Sequence, residues 1–192
     1  MILWCVALLC LLSGCAGTRN VGSEYEVTNN NDKGLMVATI TMTRKTSTLP
    51  SLHFTNINTG STQSITFDSN PFTLGPRSNL PGRFGKLIMI ELPAGKYQIT
   101  DFRFRAGVVV GYAYVDMSRS NPRTVSFEIL PGKATYSGDL VVDDKGGFYS
   151  GVEVQGLSVR DNYENDRALF LKTVPGLEKG PLEKRLFELE KN

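Results

Sequence analysis

Short segments of alternating apolar and polar residues recur along most of the chain. Between Leu35 and Thr43, apolar side chains take every second position, and threonines fill most of the positions between them. An alternation with a period of two residues predicts a β-strand with one buried face. Further predicted strands occupy residues 52–57, 63–68, 97–104, 107–115, 125–129, 134–142 and 148–154, and residues 86–92 are mostly apolar, as in a central strand.

The spacing of these segments indicates the class of fold. Eight to ten short strands, separated by turn-forming sequences such as Pro93-Ala94-Gly95 and Pro131-Gly132, are typical of an antiparallel β-sandwich or barrel. The run Asp143-Asp144-Lys145-Gly146-Gly147 is predicted to be a hairpin connection between two of them. Long helical segments do not alternate with the strands, so a parallel α/β sheet is not expected.

One strand shows a change of phase. Tyr97 and Ile99 occupy odd positions, whereas Phe102 and Phe104 occupy even ones. A shift by one residue moves every later side chain to the opposite face unless the strand contains an extra residue. We therefore predict a β-bulge near Thr100-Asp101.

The last part of the chain, residues 161–192, is predicted to be a helical extension of a sandwich formed by residues 35–160. Asp161–Lys172 is expected to form a helix capped by Asp161 or Asn162. Pro181 suits the first turn of a second short helix, on which Leu182, Leu186 and Leu189 would share one face. Both helices would pack on the sheets. Alternatively, the last dozen residues form a partner-binding helix.

The first fifteen residues are typical of a targeting sequence. Residues 1–12 are almost wholly apolar, but the run is shorter than the roughly 20 residues needed to span a bilayer as a helix. The small residues Ser13 and Gly14 follow, which indicates a secretory signal peptide over residues 1–14. Cys15 comes next, and in one interpretation it is a chance cysteine that follows an ordinary signal peptide.

Leu12-Ser13-Gly14-Cys15 resembles the lipobox of bacterial lipoproteins. The resemblance implies cleavage before Cys15, attachment of acyl chains to this residue, and a membrane partner. Because Ala16 and Gly17 stand where an aspartate would imply retention in the inner membrane, it also implies anchorage to the outer membrane. We expect the periplasmic face of that membrane, with exposure at the cell surface as the alternative. Residues 15–34 are then the lipidated cysteine and a flexible tether with a reach of about 25 Å.

Two further blocks are similar to sequences of small uncharacterised bacterial lipoproteins. These blocks are Leu92–Tyr97 and Phe127–Leu140, and together they cover less than a third of the chain. The related proteins have a carboxypeptidase-regulatory-like or transthyretin-like β-sandwich. The resemblance implies a non-catalytic sandwich in the cell envelope. Together with the strand and helix patterns above, it leads us to expect a mainly β, antiparallel sandwich of the transthyretin or Ig type with two short C-terminal helices. It assigns neither a ligand nor a catalytic residue.

Composition restricts the chemistry of the 192-residue chain. The three cysteines all lie within the first fifteen residues, and His53 is the single histidine. The sequence contains neither a phosphate-binding loop, a dinucleotide fingerprint nor a nucleophile-elbow motif. We expect no cofactor, no bound metal and no enzymatic activity.

Charge is distributed unevenly, although the net charge of +2 does not suggest a nucleic-acid partner. Residues 77–123 carry eight Lys or Arg residues and three acidic ones, and Asn70–Gly85 forms a long Pro- and Gly-rich loop. Long loops on rigid sandwiches often carry binding sites. The hypothesis is a surface formed by Arg77, Arg83, Arg103 and Arg105 that faces an anionic lipid, a glycolipid or an acidic envelope protein. The alternative is a solvated basic face.

These observations favour a lipid-anchored, non-enzymatic lipoprotein that acts as a binding or assembly module in the cell envelope. The first alternative is an accessory lipoprotein subunit of an envelope secretion or transport machine. A less favoured alternative is an envelope hydrolase. The sequence does not distinguish between possible ligands, partners or oligomeric states.

Overall fold

The computed structural model describes residues 19–27, 32–43, 50–65, 80–105, 112–116, 123–147 and 151–191. Within these residues, eleven strands form two sheets, and one α-helix and a 3₁₀ turn follow the ninth strand. The strands are β1 (Lys33–Met42), β2 (Pro50–Asn56), β3 (Thr62–Ile65), β4 (Gly85–Pro93), β5 (Gly95–Arg105), β6 (Tyr112–Asp116), β7 (Arg123–Ile129), β8 (Ala134–Gly147), β9 (Gly151–Arg160), β10 (Leu182–Lys184) and β11 (Glu188–Lys191). The helix α1 is Tyr163–Thr173, and the 3₁₀ turn is Pro175–Glu178.

The two sheets differ in the direction of their strands. The first has the order β10-β8-β1-β4, with β9 also paired to β8, and it is mixed because β8 runs parallel to β1 and to β10. The second has the order β11-β7-β5-β2-β3, with β6 paired to β5, and all its pairs are antiparallel. The mainly β fold is confirmed, but the prediction of a wholly antiparallel sandwich is wrong for the mixed sheet. Alternation determines which side chains share a face, but not the direction of the neighbouring strand.

The main core lies between the two sheets. The predicted inward face of β1 is confirmed, since Met36, Ala38, Ile40 and Met42 are all buried there. Across from them, the antiparallel sheet contributes a group of packed rings in which Phe54, Tyr97 and Phe127 lie within 5.1–5.9 Å of one another. Burial of such large rings contributes much of the stability of a sandwich core.

The predicted bulge in β5 is confirmed. His53 lies opposite Asp101 and Phe54 lies opposite Ile99, so Thr100 is the extra residue. The bulge restores the phase of the strand, and Ile99 and Phe102 therefore both point into the main core.

The predicted hairpin connection at Asp143–Gly147 is wrong. These residues belong to β8, and they continue to pair with β9 as far as Gly147, which lies opposite Gly151. Residues 148–150, which separate the two strands in the sequence, lie outside the described residues. Residues that favour turns can also occupy a strand when a long partner offers continued backbone pairing, as β9 does here.

A second core covers the outer face of the mixed sheet. Leu35 and Val37 of β1, together with Leu87 and Met89 of β4, pack against Phe170 of α1. Val174 and Leu177 complete the covering layer. The threonine face of β1 is consequently buried as well, and the described residues form three layers.

The C-terminal extension agrees with the prediction only in its first half. Helix α1 confirms the helix expected at Asp161–Lys172, and Asp161 Oδ1 accepts a hydrogen bond from the backbone N–H of Tyr163 at 3.2 Å. The prediction of a second helix is wrong, because Leu182–Lys184 and Glu188–Lys191 are the strands β10 and β11. Leu182 and Leu186 pack on the outer core, whereas Leu189 packs on the main core. Since the two sheets each offer a strand edge, the extended tail buries side chains in both cores, which a single helical face does not allow.

Within the described residues, no helix has the length and apolar character needed to cross a bilayer.

Candidate functional site

A second β-bulge places an acidic residue on the outer face of the mixed sheet. Val37 lies opposite Tyr136 and Ala38 lies opposite Gly138, so Ser137 is an extra residue in β8. The extra residue puts Tyr136 and Asp139 on the same face of the strand, which an unbroken alternation would not do. Gly138 has φ of +90°, and a Cβ atom there would lie 3.0 Å from the backbone oxygen of Arg160.

Two fully buried carboxylates meet below α1. Asp139 comes from the bulged part of β8, and Asp166 comes from the first half of the helix, on the same face as Phe170. The guanidinium of Arg83, which precedes β4, bonds both carboxylates: Nη1 lies 3.2 Å from Asp139 Oδ2, and Nη2 bonds Asp166 Oδ1. We call these three residues and the neutral side chains bonded to them the Arg83 cluster.

Neutral donors occupy the remaining positions around the two carboxylates. Asp166 Oδ2 accepts hydrogen bonds from Tyr136 Oη at 2.7 Å and from Thr39 Oγ1 at 3.2 Å. Asp139 accepts hydrogen bonds from Thr41 Oγ1 at 2.8 Å and from Asn162 Nδ2 at 2.9 Å. Each carboxylate therefore has three hydrogen-bond donors, the compensation that a buried charge requires.

Protonation states in the cluster follow from burial and charge. Burial, with the nearby Asp166 carboxylate, raises the pKa of the Tyr136 phenol well above its ordinary value, so the phenol remains a donor. Burial by itself lowers the pKa of Arg83, but the bond to Asp166 and the charges of both carboxylates raise it overall. The cluster joins α1, β8 and the segment before β4 by charge-assisted hydrogen bonds. These bonds attach the helix to the mixed sheet.

The placement of Arg83 differs from its predicted role in an anion-facing surface. Its side chain is only 23% exposed and points to buried acidic groups of the same chain. Arg103 and Arg105 belong to β5 of the antiparallel sheet, while Arg77 lies outside the described residues. The structure thus does not bring Arg83 together with Arg103 and Arg105. Local charge density in a sequence cannot show which acidic residues of a distant segment will meet an arginine.

Sequence reasoning singled out Arg83 but missed the two buried carboxylates, Asp139 and Asp166, that it bonds. One signal was available in α1, where Asp166 stands four residues before Phe170 and so shares its buried face. A signal for Asp139 was absent, because it points outward only as a result of the bulge at Ser137.

The N-terminal segment, residues 19–27, lies along the edge of β4. The side chain of Asn20 imitates a strand backbone: its Nδ2 donates to Leu87 O at 3.4 Å, and its Oδ1 accepts from Met89 N at 2.9 Å. The backbone N–H of Val21 donates to Met89 O at 2.7 Å. These bonds cover backbone groups of an edge strand that would otherwise be open to pairing with another chain.

Side chains of the N-terminal segment also contact the domain. Val21, Tyr25 and Val27 pack against the outer core, and Tyr25 Oη donates to Glu91 Oε1 at 3.2 Å. Burial, with the charge of Glu91, raises the pKa of Tyr25 to about 12, so the phenol keeps its proton for this bond at neutral pH. The predicted tether over residues 15–34 therefore differs from the structure at residues 19–27, and β1 already begins at Lys33.

A shallow groove lies beside the start of α1. Lys184 Nζ lies 2.6 Å from Asp161 Oδ2 and 5.8 Å from the ring centre of Tyr163. The groove has a volume of about 130 Å³, whereas small-molecule pockets usually measure roughly 300–1,000 Å³. In the part of the chain that the structure describes, no three His, Cys, Asp or Glu side chains are grouped as metal ligands would be.

Comparisons with known proteins do not assign a family. No protein-family model matches the sequence, and no curated protein matches it either. A crystal structure of a leucine-rich repeat protein from Bacteroides thetaiotaomicron is similar to 58% of this chain at 13% sequence identity and a TM-score of 0.36. The chain spans only 14% of the length of that protein. At this level, the similarity supports no conclusion about fold or function.

Proposed function

We propose that this protein is a lipid-anchored, non-enzymatic module of the bacterial cell envelope, which binds or assembles with an envelope partner at the periplasmic face of the outer membrane. The observation that carries the proposal is Leu12-Ser13-Gly14-Cys15 directly after an apolar run. One acyl chain gives only marginal membrane binding, whereas two or more anchor a protein stably. A lipidated Cys15 would therefore suffice as the anchor.

The Arg83 cluster offers no catalytic group to the alternative of a hydrolase. A catalytic carboxylate must reach its substrate, but Asp139 and Asp166 are both 0% exposed. Their oxygen atoms accept bonds from side chains of the same chain, and α1 lies over them. This group of acidic residues is therefore explained by the docking of the helix.

Replacing Cys15 with serine tests the anchor. Cys15→Ser is expected to abolish acylation, because serine lacks the thiol that takes the lipid, and to release an unanchored or uncleaved protein. The measurement is incorporation of radioactive palmitate in cells, together with the mass of the N-terminal peptide. Cys10→Ser, in the predicted signal peptide, is the matched control and should leave labelling unchanged. Labelling of Cys15→Ser at the wild-type level would refute the proposed anchor.

Residues 77–123, which we call the basic segment, remain the candidate partner surface, and Arg77, Arg103 and Arg105 are the members tested. Arg83 is left intact in the test because its loss would disturb the Arg83 cluster. Changing the three arginines to Gln is expected to weaken co-sedimentation of residues 19–192 with vesicles rich in anionic phospholipid. The difference should shrink as salt rises, since the Debye length falls to about 8 Å at physiological ionic strength.

A variant with the same change of charge serves as the control for this experiment. Arg167, Lys172 and Lys179 are exposed on α1 and beyond it, so changing these to Gln alters net charge without touching the basic segment. If the two triple-Gln variants show the same loss of vesicle binding, net charge alone governs the interaction and the basic segment is only a solvated face.

A further inference from the structure

Strand β4 lies at the edge of the mixed sheet, and its own sequence gives it little protection against pairing with another chain. It has nine residues, and the four at its centre, Leu87-Ile88-Met89-Ile90, are all apolar. By contrast, β3 and β11, at the two ends of the antiparallel sheet, have four residues each. Natural edge strands are usually short, charged, bulged or interrupted by proline, because a long apolar edge readily accepts a further strand.

The backbone groups of β4 that face away from β1 belong to every second residue. Met89 shows this directly, since its N–H and its C=O both bond the N-terminal segment. In an antiparallel ladder, the N–H and C=O of one residue point to the same side, and those of the next residue point to the other side. Leu87 and Glu91 therefore also direct their backbone groups to the open side, and the bond from Asn20 Nδ2 to Leu87 O agrees with this.

The N-terminal segment covers this edge largely with side chains. Asn20 bonds the strand through its amide group, whereas Val21 bonds it through its backbone N–H. Tyr25 reaches the side chain of Glu91 rather than its backbone. Val21, Tyr25 and Val27 are each only partly buried. A segment with little buried apolar surface opens at a lower free energy than the fold as a whole.

The edge of β4 is complementary to itself. When two β4 strands lie antiparallel with Met89 opposite Met89, each of these residues donates its N–H to the C=O of the other. The same register places Leu87 of each copy opposite Glu91 of the other, and these residues also direct their backbone groups outward. Every outward N–H and C=O from Leu87 to Glu91 then has a backbone partner. The arrangement has a two-fold axis at Met89, the symmetry of most homodimers.

We propose that the edge of β4 is an assembly surface for a second copy of this chain, and that the N-terminal segment keeps this surface closed. When the segment detaches, two mixed sheets join into one continuous sheet across the two-fold axis at Met89. A second copy is the partner because the donors and acceptors of the edge match their own two-fold image. The inference goes beyond the proposed function, since pairing through β4 does not require lipidation of Cys15.

Loosening the N-terminal segment in the full-length protein tests the proposal. Asn20→Ala combined with Val21→Pro removes the hydrogen bonds to β4, while Ser23→Ala combined with Glu24→Ala changes exposed residues of the same segment as a matched control. The mass of the protein is measured by sedimentation in an excess of detergent micelles. Because only molecules with a detached segment can pair, the first variant is expected to dimerise at least about tenfold more tightly than wild type or the control. Dimerisation equal to that of the control would overturn the proposal.

A proline on the edge distinguishes strand pairing from a general exposure of apolar surface. Glu91→Pro, added to the loosened variant, removes an outward N–H that does not bond β1 and should return the protein to a monomer. Glu91→Ala is the matched change, because it also removes the carboxylate that bonds Tyr25 and Lys33 but keeps the backbone donor. This variant should still dimerise. Circular dichroism verifies the fold of each variant, and equal association of the two folded proteins would overturn the inference.

Crosslinking within the dimer tests the register without any loss of an edge bond. The photoreactive residue p-benzoylphenylalanine replaces Pro93, which is exposed at the end of β4. Within one chain, Gly85 lies eight strand positions away, about 27 Å. In the proposed dimer, residue 93 of one copy lies opposite Gly85 of the other. We therefore expect crosslinks to residues 80–86 in a species of doubled mass, whereas crosslinks between the two copies of residue 93 would indicate parallel pairing and overturn the inference.

Failure of the proposed anchor is read separately, from the acyl mass on Cys15 in the same samples. An unacylated protein that dimerises through β4 would contradict only the anchor. An acylated protein whose loosened variant stays monomeric would contradict only the assembly surface.

Discussion

Replacing Arg83 with methionine is expected to destabilise the folded protein by about 3–5 kcal/mol, because it leaves two buried carboxylates without their positive partner. Asp139 and Asp166 would keep their bonds to neutral donors, but these donors do not balance the charge. The measurement is the free energy of unfolding from urea denaturation at neutral pH, on a variant that begins at Thr18.

Two controls separate the loss of the buried charge from other effects. Arg167→Met removes an exposed arginine of α1 and should change the unfolding free energy by less than about 1 kcal/mol. Adding Asp139→Asn and Asp166→Asn to Arg83→Met removes the unbalanced charges and should recover part of the lost stability. A loss below about 1 kcal/mol for Arg83→Met would show that its guanidinium lies at the surface, as the charge pattern had suggested.

Replacing Phe187 with alanine is expected to cost about 3–5 kcal/mol, the usual range for removing a buried aromatic ring. Phe187 is 4% exposed, and its ring meets that of Phe127 edge-on with 5.7 Å between centres. It lies between β10, which extends the mixed sheet, and β11, which extends the antiparallel one. The substitution therefore leaves a cavity where the tail joins the two sheets.

A comparison with neighbouring residues makes this experiment specific to the extended tail. Leu186 is only partly buried, so Leu186→Ala should cost less than Phe187→Ala, while Arg185→Ala at an exposed position should cost less than about 1 kcal/mol. A helical tail would bury Leu182, Leu186 and Leu189 on one face. Leu186→Ala would then cost more than Phe187→Ala. Thermal or urea unfolding of the three variants distinguishes these outcomes.

The bulge in β5 and the bulge in β8 show why sequence reasoning succeeded at one place and failed at another. In β5, apolar residues mark both sides of Thr100, so the change of phase is visible in the order of side chains. In β8, the residue that follows the bulge on the outer face is Asp139, and a polar residue is indistinguishable from a solvent-facing one in a hydrophobic pattern. The burial of Asp139 could not be predicted because its side chain carries no apolar signal.

The tail shows the same limit for secondary structure. Leucines at positions 182, 186 and 189 satisfy a helical period, but they also suit an extended chain that alternates between two cores. The open edges of β7 and β8 decide between these possibilities, and both edges exist only after strands from distant parts of the chain have paired. The spacing of apolar residues within one segment carries no information about the backbone hydrogen-bond donors and acceptors at such edges.

The order of apolar and polar residues was sufficient for the mainly β fold, the inward face of β1, the bulge at Thr100 and the helix α1, because each depends on neighbours within a few residues. The parallel pairing of β1 with β8, the burial of Arg83 between Asp139 and Asp166, and the docking of Asn20 on β4 depended on the tertiary structure. These contacts join residues separated by between 56 and 100 positions in the chain. Their partners are selected by the packing of the layers, which no single segment contains.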